Sequence, residues 1–231
     1  MPRETVEAVS RFYDGIFHCY DAANRLLTLG LDGGWRARAA KAALRSSPAS
    51  CLDACTGTGE LALLLEKFSA PGTEITGVDF NEPMLSVARK KAPGVRFLRA
   101  DAAHLPFEDG AFGAVTSAFA ARNLDADGEL AGIFREFRRV LKPGGVFVNL
   151  ETSRPRSALI RFCFHLYVRL MTALVGAFTP KNRPAYAFLS STIRNFHDAG
   201  ALSAIILKSG FSKVETIPLL FGAVAIHRAI K

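Results

Sequence analysis

The segment Cys51–Glu60, reading CLDACTGTGE, constrains the chain more than any other. A short apolar run ends at Asp53, a turn follows with Gly57 and Gly59, and a helical pattern starts at Glu60. Glycines at such a turn adopt backbone conformations closed to other residues and let a ligand lie against the main chain. The first N–H groups of the helix behind them lack an intrahelical partner and can meet that ligand. A second apolar run, ITGVD, ends at Asp79, twenty residues after Gly59. This is the layout of a site for an adenosine-containing cofactor.

The same alternation runs on to residue 151. The pattern predicts helices over Glu60–Phe68, Glu82–Lys91 and Glu129–Leu141, the last ended by Lys142-Pro143-Gly144-Gly145. It predicts strands ending at Asp53 and over Glu74–Asp79, Val95–Arg99, Phe112–Ala118 and Phe147–Glu151. The expectation is an α/β, doubly wound, Rossmann-like sheet, mostly parallel, with ligands at the carboxyl ends of its strands. A helix over 199–208 and strands over Lys213–Pro218 and Val224–Arg228 predict a closing antiparallel hairpin. Before the sheet, Val6, Val9, Phe12, Tyr13, Ile16, Phe17 and Tyr20 recur at helical spacing. Gly30 is a stop, and Trp35 opens a further helix. The chain therefore reads as one domain: a helical cap over 1–46, a cofactor-binding core over 47–151, an insertion over 152–197, and closing elements over 198–231.

The insertion stands out by charge. Residues 1–151 hold 18 Lys+Arg and 19 Asp+Glu, a net of −1; residues 152–231 hold 11 Lys+Arg and 2 acids, a net of +9, so the whole excess of +8 sits here. Such a split points to an anionic partner: lipid, nucleic acid or an acidic protein. Within it, Ser157–Phe178 is apolar apart from Arg161, His165 and Arg169, spaced by four and so on one helical face. Its length would span a bilayer. Two arginines, at roughly 2.5–3.5 kcal/mol each for a central position, favour a helix lying in the membrane interface instead; a core helix with one solvated stripe is the plainer alternative. The N-terminus lacks the apolar core of a signal peptide. Cys19, Cys51, Cys55 and Cys163 form no CxxC pair and read as reduced cysteines of a cytoplasmic protein, with no zinc site.

DACTGTG fits two cofactor patterns: D-x-x-x-G-x-G of class I S-adenosylmethionine methyltransferases and G-x-G-x-x-A of dinucleotide enzymes. Asp79 suits ribose hydroxyls in either. Asp101-Ala102 follows the third strand, where methyltransferases read adenine, and the acidic turn LPFEDGAF comes next; Asp101 also suits a plain turn. Farther along the chain, other motifs are more particular. Tyr20-Asp21 with Asn24, Trp35-Arg36, GVDFNEPML, Phe119 with Arg122-Asn123, RRVLKPGGVFVNLE, AGALSAIILKSGF and the ending AIHRAIK resemble the UbiE/COQ5 family of quinone C-methyltransferases, nearly end to end.

The resemblance implies S-adenosylmethionine as cofactor, S-adenosylhomocysteine as product, no metal, and cofactor contacts at Asp53, Gly57, Thr58, Gly59, Asp79, Phe80, Asp101 and Ala102. It implies a polyprenyl hydroquinone as acceptor, demethylmenaquinol first, met at the inner face of the membrane. Arg122 and Asn123 are candidates for the acceptor's oxygens, with Tyr20 and Asn24 reaching from the cap. Arg122 is too basic to be a free base but suits a phenolate; its plainer role is to cap a strand end or to pair with an acid such as Asp125 or Asp127. Among the histidines, His197 is a candidate base, while His104 and His227 read as structural, His227 through a hydrogen bond within the last strands. The chain departs from the family at FAARN, where FGLRN is usual, at Glu60, where Asp is usual, and at Ser191-Thr192-Ile193 with His197, where Glu-Ser-Ile and a following Pro are usual. These changes fall on the acceptor side and leave another small hydrophobic acceptor open. A nucleic-acid-binding protein or a nicotinamide-dependent reductase is a competing class, and a homodimer is compatible with the sequence.

Overall fold

The computed structural model describes residues 20–125, 128–178 and 183–231. The helical pattern expected over 5–19 lies outside them. Seven strands form one sheet: β1 (Ser50–Ala54), β2 (Glu74–Asp79), β3 (Arg96–Arg99), β4 (Phe112–Ala118), β5 (Leu141–Thr152), β6 (Lys213–Leu219) and β7 (Val224–Ile230). Their order is β3-β2-β1-β4-β5-β7-β6. The first five run parallel, and β7 is antiparallel to both β5 and β6. The order reverses beside β1, so β1 and β4 part their connections there and open a crevice at their carboxyl ends.

Nine helices are described: α1 (Tyr20–Leu27), α2 (Leu31–Ala43), α3 (Glu60–Phe68), α4 (Glu82–Lys91), α5 (Ala121–Leu124), α6 (Leu130–Val140), α7 (Ala158–Phe178), α8 (Arg183–Asn195) and α9 (Ala199–Lys208). Side chains alternate along each strand, so the sheet buries two cores. One face packs Val146, Val148 and Leu150 against the alanines of α2 and against Leu61 and Leu65 of α3. The other packs Phe147 against Phe134 and Phe137 of α6 and Phe211, with ring centroids 5.1, 5.4 and 5.6 Å away.

Three local expectations need correction. α2 begins at Leu31, not Trp35, and takes Gly33 and Gly34 into its first turns, while Gly30 in left-handed geometry (φ 76°) is its N-cap. Strand β5 starts at Leu141 and carries Lys142-Pro143-Gly144-Gly145 inside it, because the β4–β5 register shifts between Phe112 and Ala114 and the irregular stretch stays paired at both ends. On α7 the face turned to solvent is the apolar one, with Leu159, Phe162, Leu166, Leu170 and Leu174 all exposed. It is not a core helix with a polar stripe outward.

Candidate active site

β1 carries Asp53 to the crevice. Its buried carboxylate accepts from Thr56 Oγ1 at 2.6 Å and from Thr116 Oγ1 at 2.7 Å. Thr116 stands beside it in register on β4. Burial raises the Asp53 carboxyl to about 6, against the pull of both hydroxyls and of the Arg36 charge. After the strand the backbone turns through positive φ at Cys55 (56°), Gly57 (56°) and Gly59 (81°). At Gly59 a Cβ would lie 2.9 Å from that of Ala88, so only glycine lets α3 seat against α4. Gly59 is also the N-cap of α3 and supplies no side-chain acceptor, which leaves the helix N-terminus open toward the crevice.

Asp79 ends β2 and ties this turn to the sheet. Its Oδ2 accepts from the Gly57 N–H (2.8 Å) and its Oδ1 from the Asn81 N–H (3.0 Å). Burial raises its carboxyl even so, opposed by the N–H groups of Asn81, Gly57 and Phe80. Each oxygen keeps a further lone pair for a ligand hydroxyl. The carbonyl of Phe80 accepts from Arg99 Nε at 2.9 Å. Past β3, Asp101 Oδ1 accepts from the Ala103 N–H (2.9 Å), which makes it a turn residue as well, and Oδ2 lies 3.6 Å from His104 Nδ1. Ala102 is buried behind it. After burial itself, the charges of Asp79, Asp53 and Asp101 push the Cys55 thiol well above its ordinary pKa.

The cap is latched to this turn by residues whose partners the sequence does not announce. Thr58 Oγ1 donates to Asp21 Oδ1 at 2.6 Å. The other Asp21 oxygen and Glu60 both accept from Lys91 Nζ, at 2.5 Å each. The hydroxyl proton of Thr58 is therefore directed at the cap, and its lone pairs remain. Glu60, the departure from the usual Asp, takes its place in this latch.

Across β4 lies a cavity of about 320 Å³ bounded by α1, α2, α7, α8 and the ends of β4 and β5. Its wall is mainly apolar, with Trp35, Phe119, Phe164 and Ile193, and both Arg36 and Arg122 line it. Phe119 sits in left-handed geometry (φ 58°), a strained position for an aromatic residue, and this holds its ring 5.1 Å from the Arg36 guanidinium carbon. Arg122 does not pair with Asp125, and Asp127 lies outside the described residues. Its Nη1 donates to Glu151 Oε1 at 2.8 Å, and its backbone N–H points at Oε2 (3.3 Å). Glu151 is fully buried at the end of β5, and Thr152 adds its N–H (2.7 Å) and hydroxyl (3.0 Å) to Oε1. Asn123 is buried beside Arg122, and Asn24 lines the cavity from α1. Tyr20 opens α1, and its side chain lies outside the described residues.

His197 meets Asp125 instead, Nε2 to Oδ2 at 2.7 Å, and neither lines the cavity. His227 Nε2 contacts the Ala199 carbonyl at 3.0 Å; its bond leads to α9 and not within the strands, and burial lowers its pKa. His104 stays on the surface beside Asp101. Among the described residues, no three His, Cys, Asp or Glu side chains converge as a metal site.

A β3-β2-β1-β4-β5-β7-β6 sheet, a glycine turn behind the first strand and an acid at the end of each of the next two segments define a class I S-adenosylmethionine-dependent methyltransferase. Solved structures of that class share the fold: a SAM-dependent methyltransferase from Thermotoga maritima superposes with a TM-score of 0.60 at 19% identity, covering 95% of this chain and 99% of its own. Another from Aquifex aeolicus gives 0.55 at 16% identity over 78% and 81%. The sequence profile of the ubiE/COQ5 methyltransferase family matches residues 2–231, and the chain belongs to that family. It is 45% identical over 212 residues to the demethylmenaquinone methyltransferase of Thermus thermophilus (90% of this chain, 94% of the relative). It is 34% identical over 225 residues to the ubiquinone/menaquinone biosynthesis C-methyltransferase UbiE of Desulfotalea psychrophila (96% and 90%).

Proposed function

We propose that the enzyme transfers a methyl group from S-adenosylmethionine to a ring carbon of a polyprenyl hydroquinone, demethylmenaquinol being the first choice. The observation that carries this reading is an apolar cavity with Arg36 and Arg122 in its wall, in a sheet whose β1 and β2 carry Asp53 and Asp79 at their carboxyl ends. The names of the relatives point the same way.

The crevice fits the cofactor by the chemistry of its donors and acceptors. The cofactor carries an ammonium, a sulfonium and ribose hydroxyls, and Asp53, Asp79 and Asp101 offer acceptors to cations and hydroxyls. Asp79 would hold the ribose and Asp101 the adenine amino group, with Ala102 and Phe80 flanking the base and Thr58 offering its lone pairs. When bound, S-adenosylmethionine supplies a methyl group already activated as an electrophile. The chain must place a nucleophile in line with it, and that nucleophile is the acceptor's ring carbon, made electron-rich by loss of a phenolic proton. A quinone has no such proton, so the reduced form is the substrate. Arg122, held by Glu151, and Asn123 orient an acceptor oxygen, and the apolar wall keeps water away from the reacting atoms. After transfer the ring carbon loses its own hydrogen as a proton and aromaticity returns.

The acceptor's prenyl chain resides in a bilayer, and the mouth of the cavity suits one. Leu29, Leu220 and Phe221 line the cavity while being 67%, 41% and 82% exposed. All three hold positive φ (52°, 45° and 55°), so the backbone is strained to present apolar side chains to the outside. α7 lines the cavity with one face and turns apolar residues outward on another, with Arg169 also exposed and Arg161 near its start. α7 is long and apolar enough to cross a membrane (20 residues, mean hydropathy 1.5). It packs on α8 and α1 instead, which suits a helix lying in the interface of an anionic leaflet.

An acceptor panel tests the reading. Chemically reduced short-chain demethylmenaquinone, a prenylated benzoquinol and simple phenols and amines are each offered with S-adenosylmethionine, and products are analysed by mass spectrometry and NMR. Carbon methylation of the prenylated hydroquinones is expected. Preferred transfer to oxygen or nitrogen of an unrelated acceptor would overturn it.

A further inference from the structure

The two arginines of the cavity wall are not in the same condition. Arg122 is already neutralised at 2.8 Å by the buried Glu151. The side chain of Arg36 is just 8% exposed, yet its one ionic contact among the described residues is Asp32, at 3.8 Å. None of its five N–H donors makes a hydrogen bond among these residues, and Nε is buried with no partner. Asp32 is itself engaged, accepting from Thr28 Oγ1 at 3.0 Å. What remains to Arg36 is the face of Phe119, 5.1 Å away. A buried guanidinium with unused donors beside an open cavity is a costly arrangement unless a ligand completes it.

We propose that Arg36 binds the ionised oxygen of the acceptor, lowering the pKa of that hydroxyl and holding the phenolate during methyl transfer. The proposal rests on the hydroquinone reading above and assigns its two oxygens. A hydroquinone carries them on opposite sides of the ring. Arg122, with its charge balanced, suits the hydroxyl that stays protonated; Arg36, with donors and charge unused, suits the one that ionises. The ionised oxygen lies next to the carbon that attacks, so it belongs near the cofactor. Arg36 is the arginine whose field reaches Asp53, at the cofactor end of the cleft. The balance of the step is simple. The phenolic proton leaves to water, the ring carbon forms the C–C bond with the methyl group while the S–C electron pair returns to sulfur, and the ring proton then leaves.

The charged groups around Arg36 are Asp32 on its own helix, Asp53 on β1, and, across the same cavity wall, Arg122 of α5 paired with Glu151 of β5. Arg228 of β7 reaches α2 only at its far end, donating to the Ala42 carbonyl. The competing reading makes Arg36 a counter-ion of Asp53 and nothing more.

The test uses 2-hydroxy-1,4-naphthoquinone, whose ionisation changes its visible spectrum, titrated in complex with the enzyme and S-adenosylhomocysteine. In the wild type its pKa should fall by about one unit or more relative to free solution, a tenfold change in ionisation constant. Arg36→Met should abolish that shift and move the alkaline approach of kcat with demethylmenaquinol to higher pH. Arg36→Lys, which keeps the charge and guards against loss of fold, should retain part of both. S-adenosylmethionine affinity, measured by calorimetry, should change less than threefold. An unshifted probe pKa in the wild type, or the same shift in Arg36→Met with weakened cofactor binding, would overturn the proposal in favour of the counter-ion. Failure of the wild type to bind the probe or to methylate any hydroquinone, with cofactor binding intact, would overturn it together with the acceptor reading.

Discussion

On the cofactor side, carboxylates hang from the ends of adjacent parallel strands and are fixed by backbone N–H groups and threonine hydroxyls. On the acceptor side, two arginines sit among aliphatic and aromatic side chains contributed largely by helices. The first surface is acidic, rigid and set by sheet register. The second is basic and apolar, opens toward solvent through exposed leucines and Phe221, and depends on where four helices lie. The contrast suits the two substrates proposed above: a small cation to be held in a single pose, and a hydrophobic ring on a long chain to be taken from a surface. Phe119 and Arg36 form the seam between them, the ring in strained geometry and the guanidinium facing both.

The contrast can be broken from either side. The largest effect is expected from Asp79→Asn, which loses the charge that holds Gly57 and Asn81. S-adenosylmethionine affinity should fall about 100-fold, on the order of 3 kcal/mol for a charged hydrogen-bonded group, while acceptor-probe binding persists. Calorimetry with each ligand separately checks it; equal loss of both would mean that the halves are not independent. The next effect belongs to the mouth. Phe221→Asp should weaken binding to anionic vesicles about 30-fold and leave turnover of a short-chain soluble acceptor nearly unchanged, since roughly 2 kcal/mol of burial is forfeited at the surface alone. Co-sedimentation in which the variant and the wild type bind equally would remove the lipid-facing role.

The smallest effect is in pH. Asp53 sits at about 6 without the cofactor, Arg36 already pulling it down, and a cofactor cation favours its ionised form further. Cofactor affinity should therefore rise with pH, about twofold weaker at pH 6 than at pH 8 and falling toward tenfold per unit below that. For the unliganded protein the sign is opposite. The folded pKa lies above the unfolded one near 3.8, so ionising Asp53 costs stability as pH climbs from there to about 6. Affinity that is flat from pH 5 to 8 would show that Asp53 does not face the cation.

The cofactor side was legible because its signals are local. Asp53, Gly57, Gly59 and Asp79 announce strand ends and a turn by spacing, and the mostly parallel sheet follows from alternation. The acceptor side was legible mainly by resemblance. Glu151 stands 29 residues from Arg122, and which acid meets the arginine depends on how β4 and β5 end beside each other. Nearness in sequence pointed to Asp125, which the fold turns toward His197. Thr58 and Asp21 are 37 residues apart and meet only because α1 lies over the glycine turn. On α7 the spacing of Arg161, His165 and Arg169 located two faces but not their direction. The rule that apolar faces turn inward gives the wrong side on this helix, whose leucines and Phe162 point outward. Positive φ at Phe119, Leu220 and Phe221 has no sequence signal, since none of these residues favours it.

In the proposed reaction a cofactor cation meets an electron-rich hydroquinone across the Phe119 seam. The most direct measurement is methyl transfer from labelled S-adenosylmethionine to demethylmenaquinone, run with and without a chemical reductant. Label should enter the ring only under reduction, and on carbon. Equal labelling without reductant, or none in either condition from an enzyme that binds S-adenosylmethionine, would contradict it.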